Sequence, residues 1–486
     1  MREHTELYID GAWRAPRHQG AVRELTDPAS GEVTGRVALG GAADVDRAVA
    51  AAGRAFASYA RTAPEERAEL LERVLAELDR RAEDLAQAVT AEMGAPLALA
   101  RGAHVPTGRF QIATTLGALR KHTFREWRGD TEIRREPLGV AGLITPWNFP
   151  VLQVAGKAAA ALAAGCPAVV KASELAPYSA VLLAEVMDAA GVPAGVFNLV
   201  LGEGPEAGHA LSAHPDVGVI SFTGSVRTAR KVTVAAAPTV KRVHTELGGK
   251  SPHLLLPDAD FAVAVRTVHD WMMSVTGQLC SAPTRTLVPR DRLEEFLEAL
   301  VPSLEAIRVG DPRSPETGMG PLVSAAQWRT VQDYIQQGLD AGARLVTGGP
   351  GRPEGLAAGH FARPTVFADV DNGMAIAREE IFGPVLSVIA YDTVDEAVEI
   401  ANDTPYGLAA YVVGADVDRA HQVAARIRAG SVLINGADFD WTAPWGGYKQ
   451  SGNGREFGPE GLDAYLETKV VRGAPVRTGA PRHPRT

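Results

Sequence analysis

The chain has 486 residues, 46% of them hydrophobic and 22% charged, and carries a formal net charge of −9 at pH 7. That length exceeds one hydrophobic core and calls for two or three domains, while the acidic balance argues against a nucleic-acid binder. Two cysteines, Cys166 and Cys280, exclude a disulfide framework, and with scattered histidines they give no metal constellation.

From the N-terminus, Met1 to Glu6 show no apolar signal-peptide core, and a reducing, cytoplasmic setting suits a chain that must keep a thiol reduced. Short strands are expected around the turns at Asp10-Gly11 and Asp27-Pro28. Thr62-Ala63-Pro64-Glu65 has a capping-box pattern. After it Leu71, Val74, Leu75, Leu78, Ala82, Leu85 and Val89 recur at helical spacing, with Gly94 as the stop. Residues 124–136 alternate around Arg128-Gly129-Asp130 and predict a β-hairpin. Residues 151–170 are nearly all apolar, but Lys157 interrupts them and Pro167 breaks them. They predict a buried helix running into a buried strand, with no membrane partner. Cys166 reads as a small buried residue beside that strand.

The β-rich runs 139–145, 168–171, 196–200 and 217–222, separated by helical stretches, predict a doubly wound parallel sheet. A second α/β region extends from about Ser251 to Lys449. The Pro-, Gly- and Arg-rich stretch from Arg472 to Thr486 reads as a mobile tail.

Cys280 sits in Val275-Thr276-Gly277-Gln278-Leu279-Cys280-Ser281, and upstream lies Glu246-Leu247-Gly248-Gly249-Lys250-Ser251-Pro252. An ionised thiol is a strong nucleophile, and a carboxylate serves as base for a water, so the pair suits covalent thioester chemistry. Read singly, Cys280 is as well a buried small residue and Glu246 a strand-end carboxylate.

These strings occur with Pro137-Leu138-Gly139-Val140, Thr145-Pro146-Trp147-Asn148-Phe149-Pro150, Lys171-Ala172-Ser173-Glu174, Phe222-Thr223-Gly224-Ser225, Glu379-Glu380-Ile381-Phe382-Gly383-Pro384-Val385 and Pro444-Trp445-Gly446-Gly447-Tyr448-Lys449. In that order, from about Tyr8 to about Val471, the chain resembles the aldehyde dehydrogenase superfamily of the non-acylating type. The resemblance implies an α/β fold with a Rossmann-type cofactor domain (1–118 and 138–248) and an α/β catalytic domain (249–450). It also implies a small β oligomerisation element (119–137 and 463–475), leaving 476–486 as the tail. It further implies NAD as cofactor, a small-molecule aldehyde as substrate, and a homodimer or homotetramer.

By the same resemblance, Cys280 attacks the aldehyde, Asn148 and the Cys280 N–H hold the oxyanion, Glu246 activates water, and Lys157 lies near the substrate. Thr145, Pro146, Trp147, Lys171, Ser173, Glu174, Gly204, Phe222, Gly224, Ser225, Leu247, Gly248, Glu380 and Phe382 face the cofactor. Glu174 favours NAD over NADP, because a carboxylate accepts from ribose hydroxyls and repels a 2′-phosphate. Ala172 stands where the family has proline, and Ala229 where it has a glycine. The aldehyde tunnel falls to Phe149, Leu152, Gln153, Gly156, Leu279, Ser281, Phe439, Trp441 and Trp445. Gly156 stands where many relatives carry an aromatic, so an aromatic or bulky apolar aldehyde is expected. The rival is a cationic aldehyde caged by the same rings, with Asp438 and Asp440 nearby. No arginine is dedicated to a carboxylate, which disfavours semialdehyde acids. Glu246 disfavours transfer to coenzyme A. Retention of Cys280, Glu246 and Asn148 disfavours a catalytically idle relative.

Overall fold

A computed structural model describes residues 2–17 and 22–473, so the tail expected at 476–486, and the last residues of the expected 463–475 element, lie outside it. An eight-stranded sheet has five parallel strands at its centre, in the order Arg242–Leu247, Val217–Gly224, Val140–Ile144, Ala168–Lys171 and Phe197–Leu199. Numbered along the chain that order is 5-4-1-2-3, the doubly wound arrangement with its switch between Val140–Ile144 and Val217–Gly224. Antiparallel strands extend both edges, Gly452–Asn453 on one and Leu7–Ile9 with Ala12–Arg14 on the other.

The inner strands are near-continuous apolar runs because both faces are covered. Val140–Ile144 and Ala168–Lys171 are buried throughout. The crossover between them is the helix Pro150–Ala164, which starts with proline in its first turn and stops at Gly165 with φ 91°. The buried helix and strand expected over 151–170 are therefore observed, and Lys157 is inside the packing rather than on the helix surface, at 3% exposure.

The helical pattern beginning at Thr62 is two helices, Pro64–Arg80 and Ala82–Met93, parted at Arg81 and ended by Gly94 with φ 76°. The capping box does not form. Ala63 is the N-cap, and the Thr62 hydroxyl instead donates back to the Tyr59 carbonyl at 2.7 Å.

A seven-stranded sheet follows, ordered Arg344–Thr347, Thr365–Ala368, Val385–Tyr391, Arg285–Pro289, Pro252–Leu255, Ala409–Val413 and Ser431–Ile434. All its pairs are parallel except Arg344–Thr347 with Thr365–Ala368. Its two faces feed separate cores. Leu254, Leu256, Leu287 and Val412 enter one, and Leu255, Val288, Leu386 and Val413 the other, as the period of two in a strand demands.

The hairpin expected over 124–136 is Arg125–Arg128 and Thr131–Pro137, turning at Gly129 with φ 63°. The distant strand Leu466–Arg472 pairs antiparallel with it, Leu466 opposite Pro137 and Arg472 opposite Thr131.

Candidate active site

At the carboxyl ends of the two switch-point strands lies a groove of about 510 Å³. Thr145, Lys171, Ser173, Glu174, Gly204 and Phe222 line it, so six of the expected cofactor residues, far apart in sequence, converge on one surface. A π-helical turn over Gly204–Gly208 brings Gly204 in. Lys171 Nζ meets Glu174 Oε2 at 2.8 Å. Burial drives the Glu174 carboxyl up, but the Lys171 ammonium, the Glu174 backbone N–H and Arg23 together outweigh it and hold the group below its ordinary range. Ser225 caps the helix Val226–Ala236, its hydroxyl accepting from the Thr228 N–H at 3.3 Å. A Cβ on Gly224 would stand 2.6 Å from the Phe222 ring. The buried hydroxyls of Thr145 and Thr223 have no partner among the described residues, which fits a groove built for a polar ligand.

A second cavity of about 390 Å³ contains Asn148, Glu246 and Cys280 together. Thr223 lines both it and the groove, so the two are neighbours there. The cysteine arrives on a loop with two left-handed residues, Thr276 at φ 58° and Gly277 at φ 69°. Gly277 is required twice over, since a Cβ there would also overlap the Gly383 carbonyl. Gln278 is buried, and its side-chain oxygen accepts from the Val323 N–H at 2.9 Å. Its backbone carbonyl accepts from the Asn148 amide at 3.0 Å. Tyr411 closes the far side by donating to the Ser281 carbonyl at 3.1 Å.

Burial pushes the Cys280 thiol up to about 12, with the Glu380 and Glu246 carboxylates adding to it. Burial likewise raises Glu246 well above the usual carboxylate range, and Glu456 adds to that against the opposing charges of Lys157 and Arg455. One Glu246 oxygen, Oε2, is buried without a partner among the described residues. Glu380 is raised by burial to about 7, opposed by the Gly249 N–H at 3.2 Å and by Lys250.

Phe149, Leu152, Gln153, Leu279, Ser281, Phe439, Trp441 and Trp445 line the chamber as expected. Gly156 does not. It sits one turn deeper on the helix, where a Cβ would meet the Gln111 side chain at 2.8 Å. Its missing side chain lets the helices Pro150–Ala164 and Val105–Lys121 approach, and opens no room beside Cys280. Lys157 also lies outside the chamber, in a small cavity with Gln111 and His244. There it is ion-paired with Glu456 and donates to the Ser221 hydroxyl at 3.0 Å.

Leu247 lines the chamber rather than the groove. Gly248 is packed by Glu380, whose carboxylate would overlap a Cβ there. Phe382, at φ 57°, sets its ring edge-on to Trp147 at 5.5 Å, and neither of these residues nor Pro146, Gly224, Ser225, Gly248 or Glu380 lines either cavity.

Sequence reasoning missed Leu99, Ala103 and Thr107 on one wall, and Asp270, Trp271, Ser274, Glu456 and Phe457 elsewhere. Two π-helical turns, Ala100–His104 and His269–Met273, set several of these positions. A π-turn inserts a residue into helical phase, and no periodicity in the sequence signals it. Glu456 had a usable signal, as the acidic neighbour that a buried Lys157 needs.

Among the described residues, no helix is long and apolar enough to cross a membrane, and no group of three or more His, Cys, Asp or Glu is placed to hold a metal ion.

The aldehyde dehydrogenase family model matches residues 13–471, and the chain belongs to that family of enzymes. A 3-succinoylsemialdehyde-pyridine dehydrogenase from a Pseudomonas species is 50% identical, covering 97% of this chain and 99% of its own. Among solved structures, a mutant of aldehyde dehydrogenase C from Pseudomonas syringae, in complex with NAD+ and octanal, matches with a TM-score of 0.95 at 52% identity over 96% of each chain. An aldehyde dehydrogenase from Mycobacterium tuberculosis, complexed with NAD+, matches with a TM-score of 0.95 at 42% identity over 99% of each. Betaine aldehyde dehydrogenase from Staphylococcus aureus, also with NAD+, matches with a TM-score of 0.93 at 36% identity over 96% of this chain and 94% of that one. The expected fold and enzyme class stand, and the cofactor expected from the sequence is the one these three solved structures hold.

Proposed function

We propose that this enzyme oxidises an aromatic or bulky apolar aldehyde to its carboxylic acid with NAD. The observation that carries this is the meeting of Cys280, Asn148 and Glu246 in one chamber that adjoins the groove at Thr223.

The Cys280 thiol gives its proton to Glu246, which passes it to solvent, as Sγ attacks the carbonyl carbon and the carbonyl electrons move to oxygen, giving the oxyanion of a thiohemiacetal. The Asn148 amide and the Cys280 N–H hold that oxyanion. As it collapses, a hydride leaves and a thioester to Cys280 remains. Thr145, Lys171, Ser173, Glu174 and Glu380 would hold NAD, which would supply the hydride acceptor. Glu246 then takes a proton from water, which attacks the thioester and expels Cys280. A carboxylate raised by burial is a stronger base than an ordinary glutamate, and its Oε2 has no other partner among the described residues to compete with that water.

The chamber walls support the substrate class, for Phe149, Trp271, Phe439, Trp441, Trp445 and Phe457 present flat apolar faces. Among the relatives, one is named for a pyridine-bearing semialdehyde, which suits an aromatic end, and one is in complex with octanal, which suits an apolar one.

In this reading the unit built on the eight-stranded sheet (1–118 and 138–248) binds NAD, and the unit built on the seven-stranded sheet (249–450) carries Cys280. The sheet of Arg125–Arg128, Thr131–Pro137 and Leu466–Arg472 joins copies into a homodimer or homotetramer in the cytoplasm.

The test is NADH formation with benzaldehyde-like, long-chain, terpenoid, cationic and carboxylated aldehydes, with NADP in parallel and Cys280→Ala as blank. Preference for aromatic or bulky apolar aldehydes with NAD is expected. Absence of reduction with every aldehyde overturns the reading.

A further inference from the structure

We infer that His104 is a positioning residue that sets substrate preference: it holds the Phe149 ring still, with one face toward the chamber, so that flat aldehydes are favoured over puckered ones of equal size. The inference rests on the proposed activity and refines its substrate.

The two rings stand at the starts of two packed helices. His104 ends the π-helical turn Ala100–His104 and is the N-cap of the helix Val105–Lys121, while Phe149 is the N-cap of the helix Pro150–Ala164. The helices meet closely, since a Cβ on Gly108 would stand 2.7 Å from the Val151 side chain. That approach stacks the two rings, with centroids 4.2 Å apart and planes 19° from parallel. His104 is wholly buried, whereas Phe149 is half-buried and lines the chamber beside Asn148. The imidazole therefore covers one face of the Phe149 ring and leaves the other to the chamber.

The remaining rings of the chamber support one another. Trp271, Trp441, Trp445 and Phe457 each stand 4.5 to 6.5 Å from Phe439. Among the described residues Phe149 pairs with none of them, and its ring partner is His104. The imidazole acts by shape and not by charge or hydrogen bonding. Burial brings it down to about 3, so it is neutral, and both its nitrogens are buried without a partner among the described residues.

A planar substrate ring gains contact over its whole face when it lies on a fixed flat neighbour. A puckered ring meets the same wall at fewer atoms and gains less dispersion. Were Phe149 free to turn about its side-chain torsions, the flat wall would be averaged away and the difference lost.

The test compares benzaldehyde with cyclohexanecarbaldehyde, which carry a flat and a puckered ring of equal carbon count. kcat/KM is measured with NAD for the unmodified enzyme, H104L, H104F, F149L and H104L/F149L. Comparing proteins cancels the intrinsic reactivity of each aldehyde. The flat-to-puckered ratio should fall about fivefold in H104L, mainly through KM, and should be kept in H104F, which restores a flat ring. In H104L/F149L it should fall no further than in F149L, because His104 acts through Phe149. H104M, whose unbranched side chain fills the space without a flat face, takes the place of H104L should that variant misfold. A ratio unchanged in H104L or H104M, lost in H104F, or falling additively in the double variant overturns the inference while leaving the activity standing. If the unmodified enzyme oxidises neither aldehyde, the proposed activity itself has failed.

Discussion

The Asn148 side-chain amide donates to the carbonyl of Gln278 at 3.0 Å, tying the turn before the helix Pro150–Ala164 to the loop that delivers Cys280. The bond spans two sheets and sets the amide two residues from the nucleophile. In the proposed reaction the same amide serves the oxyanion. Asn148→Ala should lower kcat by about 100- to 1,000-fold, the usual effect of deleting one oxyanion donor. Steady-state kinetics would check this, with the melting temperature as control for the lost loop contact.

Cys280→Ala should abolish turnover and leave NAD binding intact, because the groove is built from other residues. Calorimetric titration with NAD measures the second half of that statement. Near-normal turnover would remove Cys280 as nucleophile.

The parallel sheet and the converging motifs are legible in the sequence for physical reasons. Residues 139–145 and 168–171 read as buried strands because a parallel strand covered on both faces is apolar throughout. Cys280, Glu246 and Asn148 are legible because their local strings are distinctive. What the sequence hides depends on helical phase and on packing across elements. Gly156 reads as a pocket residue, but whether a glycine opens a cavity or admits a neighbouring helix is decided by Gln111, on another helix. Trp271 and Ala103 enter the chamber beside π-turns that leave no periodic trace. Thr62 fails as a cap because the helix begins at Pro64 with Ala63 as its N-cap, which leaves Thr62 one residue too early.

Glu246→Gln should let the acyl-enzyme accumulate, visible by intact-protein mass spectrometry after mixing with aldehyde and NAD. Because burial raises this carboxyl, the acid limb of turnover should lie above the ordinary carboxylate range and shift or vanish in the variant. Unimpaired turnover with no accumulation would remove the base role.

Gly277→Ala should cost at least about 2 kcal/mol of stability and most of the activity. Its φ of 69° disfavours any side chain, and the clashing atom is backbone that cannot swing aside. Thermal melting gives the first number. The alkylation rate of Cys280 reports whether the loop has moved.

Glu380 makes stability depend on pH with a definite sign. Its folded-state value is raised from 4.5 to about 7, so between those limits the folded chain keeps a proton that the unfolded chain has lost. Stability from this group therefore falls as pH rises through that window and levels off above it. Glu380→Gln should melt higher than the unmodified enzyme at about pH 8, and the two should converge near pH 4. A difference of the same size at both values would mean that the gain is packing and not the buried charge.

The Lys171–Glu174 pair makes the last prediction, on cofactor choice. Glu174 is held ionised beside Lys171 at 2.8 Å, in the groove assigned to NAD. An ionised carboxylate there accepts from ribose hydroxyls and repels a 2′-phosphate, while the Lys171 ammonium alone would attract one. Glu174→Gln keeps the shape and removes the charge, which frees Lys171 for a phosphate. The ratio of kcat/KM with NADP to that with NAD should rise on the order of tenfold, the effect of about 1.4 kcal/mol. The rise should shrink at high salt, because charge and not shape has been changed. An unchanged ratio would place the 2′-position of the ribose away from Glu174 and reassign the carboxylate to holding Lys171.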